Sequence, residues 1–353
     1  MNRPVIAFDR PLRVVAIGGG TGLSTLLRGL KQFVPMRDRR RARNQEGASP
    51  LQPQGTVIGE LAAVVTVTDD GGSSGRLREE LNILPPGDIR NCMVALSEDE
   101  HLLSQLFRYR FHQGELEGHS FGNLFVAAMS GITSDFAQAV QMSSQILATR
   151  GRIFPATTDN VTLAARMDDG SVVKGETNIT KSTHTITELM LEPNGADPLP
   201  ETLDAIANAD LITLGPGSLY TSLITNLLVR GIPEALAASN ATRVFVCNLM
   251  TQANESLGLT AAQHIEKMLQ YAGGRKIFDY ALINTAPIRT DTLEQYAREG
   301  QEPLVNDLDR IRALGVEPVI GDFVHEGDVL RHDYDHVART LLSLCVERAE
   351  AVH

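Results

Sequence analysis

The first residues that could do chemistry form a glycine-rich turn between a strand and a helix. Residues 12–17 (LRVVAI) are typical of a buried strand, and leucines recur with helical spacing directly after the turn. A helix start carries unpaired N–H groups and partial positive charge, and glycine lets the backbone approach a bound group closely. The alternative is a strand-to-helix turn that binds nothing. The pattern predicts a phosphate site at Gly19, Gly20, Thr21, Gly22 and Ser24.

A second polar loop, residues 68–76 (TDDGGSSGR), follows the next apolar run, 61–67. Two adjacent carboxylates repel each other, so Asp69 and Asp70 predict a nearby Mg²⁺ ion or ribose hydroxyls. A solvated turn is the alternative interpretation of this D-D-G. The loop also offers N–H, hydroxyl and guanidinium donors for phosphate, at Gly71, Gly72, Ser73, Ser74 and Arg76.

Two further segments hold candidate acid–base groups. Asp88, in PPGDIRN, stands just before a predicted helix and has the residue type of an N-cap. His119, in HSFGN, could exchange a proton near neutral pH, although a lone histidine is more often structural. Asn123 ends the same motif and is a candidate ligand-binding residue. We treat Asp69, Asp70, Asp88 and His119 as catalytic candidates.

The glycine turn recurs in the second half of the chain. Residues 210–214 (DLITL) predict a strand that leads into a turn with the same features as the first, namely Gly215, Pro216, Gly217 and Ser218. Another predicted strand, 243–249, leads into residues suited to recognise a base or a sugar through hydrogen bonds, namely Asn248, Thr251 and Gln252. Arg331, before the last predicted helix, could neutralise a diphosphate.

The elements that carry these loops alternate between strand and helix. This rhythm predicts a mostly parallel sheet with helices on both faces, in one domain covering 1–353. In such a sheet the loops at the carboxyl ends of the strands lie along one edge. Residues 36–56 are basic and then rich in Pro, Gln and Gly, which predicts a flexible surface insertion. Short alternating runs in 152–192 predict an antiparallel excursion.

The composition excludes several classes of partner. The net charge is −11, with 42% hydrophobic and 21% charged residues, so we expect neither nucleic acid nor an anionic membrane as partner. The three cysteines form no C-x-x-C pair, which disfavours disulfides and a cysteine zinc site. No signal peptide and no apolar run near the ~20 residues of a membrane helix is evident. A cytoplasmic location is therefore expected.

Six motifs together resemble a known family. IGGGTGLSTLLRGLK, VTVTDDGGSSGRLRE, LPPGDIRN, GHSFGNL, LGPGSLYTS and CNLMTQ occur in this order. They resemble the bacterial gluconeogenesis factor family, within the superfamily of 2-phospho-L-lactate transferase. The resemblance spans about residues 13–345 and leaves out the 36–56 insertion. It implies a Rossmann-like three-layer α/β/α fold, a nucleotide site at the first glycine turn and, often, a homodimer.

The resemblance leaves two functions open. Proteins of the gluconeogenesis factor branch look like binders of UDP-sugars, such as UDP-GlcNAc or UDP-glucose, that support cell shape and the cell wall during gluconeogenic growth. In the transferase branch, a nucleoside diphosphate–linked phospholactate donates its phospholactyl group to a deazaflavin precursor with magnesium, which Asp69 and Asp70 would hold. An NAD-dependent oxidoreductase is a weaker alternative, because Leu23 replaces the last glycine of G-x-G-x-x-G.

Overall fold

The computed structural model describes residues 10–35, 57–98, 102–253, 255–327 and 329–352. The predicted insertion at 36–56 lies outside these ranges. The strands within them are β1 (Leu12–Gly18), β2 (Ile58–Val65), β3 (Arg152–Pro155), β4 (Thr162–Met167), β5 (Val172–Lys174), β6 (Ile186–Glu192), β7 (Leu211–Leu214), β8 (Thr242–Val246), β9 (Tyr280–Asn284), β10 (Glu317–Gly321), β11 (Val324–Glu326) and β12 (Leu330–His332).

The helices follow the strands with the predicted alternation. They are α1 (Gly20–Lys31), α2 (Gly72–Leu81), α3 (Gly87–Leu96), α4 (Leu102–Arg108), α5 (Phe121–Thr133), α6 (Phe136–Ile146), α7 (Glu176–Lys181), α8 (Pro200–Ala207), α9 (Thr225–Leu227), α10 (Ile232–Ala238), α11 (Ala261–Tyr271), α12 (Thr290–Arg298), α13 (Leu308–Ala313) and α14 (Tyr334–Val352). A π-helical turn, Leu219–Ile224, leads into α9. No described helix is both long enough and apolar enough to cross a membrane.

The central sheet has seven strands in the order β10-β9-β8-β7-β1-β2-β3, and every neighbouring pair is parallel. Side chains of β1 alternate between two apolar cores: Val15 and Ile17 face one, whereas Val14 and Ala16 face the other. A strand that is buried on both faces needs apolar residues on both sides. The run LRVVAI has them at every position except Arg13, which pairs with Asp210. The α/β three-layer prediction is confirmed.

The antiparallel excursion is smaller than predicted. Residues 152–155 form β3, which pairs parallel with β2 as the edge strand of the main sheet. The separate three-stranded sheet, in the order β5-β4-β6, begins only at Thr162. A four-residue strand is too short for alternation to distinguish a parallel edge from an antiparallel hairpin. Helix α7, between β5 and β6, brings Glu176 and Thr177 back to the loop after β2.

Candidate functional site

The strand order reverses its direction at β1. From β1 the chain adds β2 and then β3 on one side, and β7 to β10 on the other. A crevice therefore opens between the carboxyl ends of β1 and β7, the position where ligands bind in open α/β sheets. The two predicted glycine turns follow these two strands, so the topology places them on opposite walls of one crevice.

The two glycine turns pack directly on each other. A Cβ atom at Gly22 would lie 2.8 Å from the carbonyl carbon of Pro216 and closer still to its oxygen. A Cβ at Gly217 would lie 3.8 Å from the carbonyl oxygen of Gly19. Glycine is required at Gly22 because backbone, which cannot rotate away, occupies the space of a side chain. The predicted facing pair of turns is therefore present.

Asn248 holds the second turn in place. Its side-chain amide donates to the Gly217 carbonyl oxygen at 2.8 Å, and its Oδ1 atom accepts from the Gly217 N–H at 3.3 Å. Both polar ends of this amide are therefore used by the protein itself. The geometry gives Asn248 a positioning role rather than the recognition role that the sequence suggested.

A cavity of about 450 Å³ lies between these turns. Ten of the predicted ligand-binding residues line it, namely Gly19, Gly20, Thr21, Gly22, Pro216, Gly217, Ser218, Asn248, Gln252 and Arg331. Sequence reasoning missed other lining residues, among them Ser222, Tyr296, Gln301 and Tyr334. Tyr296 lies on α12, a helix with no buried residue and no motif, so only its place in the fold reveals it.

The β11–β12 hairpin brings Arg331 to the wall of the same cavity. His332 Nε2 lies 3.0 Å from the Cys247 carbonyl oxygen at the end of β8, and the Leu330 N–H donates to the Tyr296 hydroxyl at 3.0 Å. Burial lowers the pKa of His332 to about 4, so the ring is neutral and its N–H donates to that carbonyl. This buried anchor fixes the backbone next to Arg331.

Two amides at the helix starts are already bound by buried carboxylates. Asp88 Oδ2 accepts from the Gly20 N–H at 2.6 Å, and Glu255 accepts from the Tyr220 N–H at 3.3 Å and from the Thr221 hydroxyl at 3.1 Å. The prediction that Asp88 caps its own helix is wrong. Helix α3 begins at Gly87 with Pro86 as N-cap. Asp88 instead accepts from the N–H of Gly20, which lies 68 residues earlier in the chain.

Three groups therefore remain to hold an anion in the cavity. The first turn of α1 still has the amides of Thr21 and Gly22, which have no intrahelical acceptor. Ser218 accepts from Gln252 Nε2 at 2.9 Å, and the buried Gln252 Oε1 has no partner. The Arg331 guanidinium supplies the positive charge. Backbone amides, the Ser218 hydroxyl and Arg331 form a donor set suited to phosphate oxygens, whereas Gln252 Oε1 is an acceptor.

Several carboxylates lie together behind the first glycine turn. Burial, and then the charge of Asp69, raises the pKa of Asp88 to about 6, against the hydrogen bond from Gly20. Burial, followed by the charges of Asp88 and Asp69, raises the pKa of Glu176 well above its usual value. The Thr68 hydroxyl donates to Glu176 at 3.5 Å. Sequence reasoning missed Glu176, because α7 brings it from the antiparallel excursion.

Most of the remaining predicted residues form a separate group on the β2 side of Asp88. Ser73 Oγ lies 3.1 Å from His119 Nδ1, and Asn123 Nδ2 donates to Ser74 Oγ at 3.4 Å. Burial, and then the charge of Arg76, lowers the pKa of His119. None of these residues lines the 450 Å³ cavity, nor do Gly71, Gly72, Ser24 and Thr251. Ser24 donates to the Thr21 carbonyl oxygen, and Thr251 bonds to Glu302.

The predicted metal pair is largely occupied by protein donors. Asp70 Oδ1 accepts from the N–H and the hydroxyl of Thr177 at 2.8 and 2.6 Å, and Asp69 Oδ1 accepts from the Gly71 N–H at 2.9 Å. Among the described residues, no third ligand joins this pair within 4.8 Å. Asp168, Asp169 and His184 meet that criterion, but they lie exposed at a hairpin turn, where the His184 ring nitrogens contact the two carboxylates at 3.0 and 3.5 Å. Asp69 and Asp70 thus do not fit a magnesium site built by the protein alone.

A larger cavity of about 770 Å³ lies elsewhere, between α6 and the edge strand β3. Its wall includes Gln138, Gln141 and Arg152, and it contains none of the predicted site residues. We favour the smaller cavity as the functional site. It lies at the switch point, and polar groups from four separate loops converge on it, whereas size alone indicates no chemistry.

Comparison with known proteins identifies the family. The family model described as 2-phospho-L-lactate transferase CofD matches residues 14–324, and the chain belongs to this family. It is 45% identical over 331 residues to a protein of Halalkalibacterium halodurans named gluconeogenesis factor, covering 93% of this chain and 95% of that one. It is 44% identical over 337 residues to the gluconeogenesis factor of Bacillus subtilis, covering 95% and 98%.

A solved structure has the same fold. The crystal structure of a member of the UPF0052 family from Bacillus halodurans matches with a TM-score of 0.85 and 45% identity, covering 94% of this chain and 99% of that one. The resemblance to the gluconeogenesis factor family is therefore confirmed.

Proposed function

We propose that this protein is a gluconeogenesis factor that binds a nucleotide sugar of the UDP-GlcNAc or UDP-glucose type in the switch-point cavity. Bound sugar nucleotide would regulate a partner needed for cell shape and cell-wall homeostasis during growth on gluconeogenic carbon. We expect the protein to act in the cytoplasm, as a homodimer measurable by light scattering. The names of the two relatives support the first part of this proposal.

One observation carries the proposal: the interlocked glycine turns and Arg331 line a single cavity. The diphosphate would lie at the Thr21 and Gly22 amides, with Arg331 balancing its charge. The free Gln252 Oε1 would accept a hydrogen bond from a sugar hydroxyl or a base N–H. A volume of about 450 Å³ falls in the usual range for small-molecule sites.

The acidic residues behind the turn favour a second candidate, a phospholactyl transferase. A protein that only binds does not require Asp69, Asp88 and Glu176 together in one half-buried place. Burial and the charge of Asp69 raise the pKa of Asp88, and burial and the charges of Asp88 and Asp69 raise the pKa of Glu176. A transferase can use such a group to bind or accept a proton. These carboxylates would orient the acceptor hydroxyl and accept its proton.

Calorimetric titration of the full chain separates these candidates. UDP-GlcNAc, UDP-glucose, GDP and NAD are titrated with and without Mg²⁺, and each bound nucleotide is then incubated and checked for turnover. Micromolar UDP-sugar binding without turnover supports the proposed function. Binding of GDP but not of UDP-sugars favours the transferase, and binding of NAD alone would refute both.

Replacing Arg331 with glutamine is expected to weaken nucleotide-sugar binding by about tenfold to a hundredfold, because a charged hydrogen bond contributes about 1.5–3 kcal/mol. The thermal midpoint should change little, because Arg331 is only partly buried. Arg166→Gln, on an exposed residue of β4, removes one positive charge far from the cavity and should leave the Kd unchanged. Equal affinities of the wild type and Arg331→Gln would place the anion elsewhere.

A further inference from the structure

Four arginines come together outside the switch-point cavity, on the β2 side of Asp88. They are Arg76 on α2, Arg90 on α3, Arg108 at the end of α4, and Arg110 just after it. We call them the arginine cluster. After burial, the charges of Arg110 and Arg108 contribute to lowering the pKa of Arg90, and those of Arg76 and Arg110 contribute to lowering that of His119. The geometry agrees, because Arg76 and Arg110 donate to the adjacent carbonyl oxygens of Glu117 and Gly118.

The described residues place no carboxylate at ion-pair distance from this cluster. Among the described residues, none of the four arginines forms an ion pair within 4.0 Å, whereas Arg243 and Arg310 each pair with a carboxylate. The hydrogen-bond acceptors of the cluster are neutral, namely the carbonyl oxygens of Glu117 and Gly118 and the amide oxygen of Asn91. Arg90 Nε is buried and has no partner at all. The charge of Glu80 acts on the neighbouring His119, but Glu80 forms no ion pair with any of the four arginines.

The backbone around the cluster holds the guanidinium groups in place. A Cβ atom at Gly122 would lie 2.8 Å from Cγ and Cδ of Arg90, so only glycine leaves room for this side chain. A Cβ at Gly118, whose φ is +81°, would lie 3.0 Å from Arg76 Nη2. Backbone hydrogen bonds fold residues 109–121 into a tight loop, including Phe111 N–H to the His119 carbonyl at 2.9 Å. The cluster is thus built from three helices and one ordered loop.

Like charges that are held close disfavour one another, and a bound group of opposite charge relieves this repulsion. Asp88 and Asp69 favour the charged form of Arg90 but lie beyond ion-pair distance, and Asp88 is already bonded to Gly20. Planar guanidinium groups bind phosphate oxygens two at a time, and a phosphate dianion can accept from several arginines at once. A single carboxylate could satisfy fewer of these donors.

We propose that the arginine cluster is a second anion-binding site, which takes the phosphate group of a small molecule other than the nucleotide sugar. The site is separate from the switch-point cavity because Asp88 stands between them, with Gly20 on one side and Arg90 on the other. Free phosphate and a phosphate monoester present the same dianion, and separate titrations distinguish them. The cationic surface would also draw anionic ligands toward this face of an acidic protein.

The test titrates inorganic phosphate, and then glycerol 3-phosphate, into the full chain, with binding followed by calorimetry and by ³¹P line broadening. The variant Arg108→Gln/Arg110→Gln changes two exposed residues and should fold normally. We expect its affinity for phosphate to fall at least about tenfold. The matched control Arg166→Gln/Arg310→Gln removes the same charge at two exposed positions and should stay within about twofold of the wild type.

Three results would overturn the inference. The first is that the wild type shows no saturable phosphate binding below about 10 mM. The second is that the cluster variant and the control bind phosphate with equal affinity. The third is that Arg331→Gln loses phosphate binding while the cluster variant keeps it. Tighter binding of glycerol 3-phosphate than of inorganic phosphate would support a monoester ligand, and the reverse would support the free ion. UDP-sugar titrations of the cluster variant should match the wild type, so failure of the nucleotide-sugar proposal leaves this one standing.

Discussion

Replacing Gly22 with alanine is expected to abolish nucleotide-sugar binding and to lower the free energy of unfolding by about 2–4 kcal/mol. The new methyl group would overlap the backbone of Pro216, which cannot rotate away as a side chain could. The two glycine turns would have to separate, and the cavity between them would lose its shape. Calorimetric titration and urea unfolding measure the two effects.

Gly131→Ala is the matched control for this prediction. Gly131 is also a helical glycine, on α5, but a Cβ atom there meets nothing within 4 Å. Because alanine is the better helix former, this control should be neutral or more stable by about 0.5–1 kcal/mol, with unchanged binding. If Gly22→Ala binds UDP-sugars like the wild type, the close packing of the turns does not shape the ligand site.

Asp88→Asn is expected to stabilise the protein at pH 8 by up to about 3 kcal/mol and to have almost no effect near pH 4. The pKa of Asp88 is about 6 in the folded protein and about 3.9 in an unfolded chain. Because the folded pKa is the higher one, the favourable contribution is fully present below about pH 4 and is lost as pH rises through about 6. Asparagine keeps an oxygen for the Gly20 N–H and carries no charge.

Urea unfolding at pH 4, 6 and 8 measures this difference. Burial also raises the pKa of Glu176, so some loss of stability with rising pH should remain in the variant. The control Asp309→Asn, at a fully exposed position of α13, should change stability by less than about 0.5 kcal/mol at each pH. An Asp88→Asn variant that is less stable than the wild type at pH 8 would mean that the ionised carboxylate helps to hold Gly20.

Local signals predicted the elements around the site. An apolar run followed by glycines and periodic leucines predicted β1 and a helix starting at the turn, and α1 begins at Gly20. The same signals predicted the turn after β7, with its glycines at Gly215 and Gly217. These features depend on residues within a few positions of one another, so sequence spacing is enough to recognise them.

The hydrogen-bond partners of three carboxylates could not be predicted from sequence spacing. Asp88 has the local appearance of a helix cap, and Glu255 and Glu176 look like ordinary surface acids. Asp88 bonds to an amide 68 positions away, and Glu255 to one 35 positions away. Such contacts depend on how the layers pack, and packing decides whether a carboxylate meets water or a backbone N–H.

By itself, the sequence determined the α/β architecture, the family and the edge of the sheet where polar loops gather, because these follow from periodicity and from short motifs. The tertiary structure decided which of those loops lie together around one site. It placed the turns after β1 and β7 around one cavity with Arg331, and the loop after β2 in a separate group beside the arginine cluster. The division follows from strand order, since the crevice opens between β1 and β7, whereas β2 lies on the other side of β1.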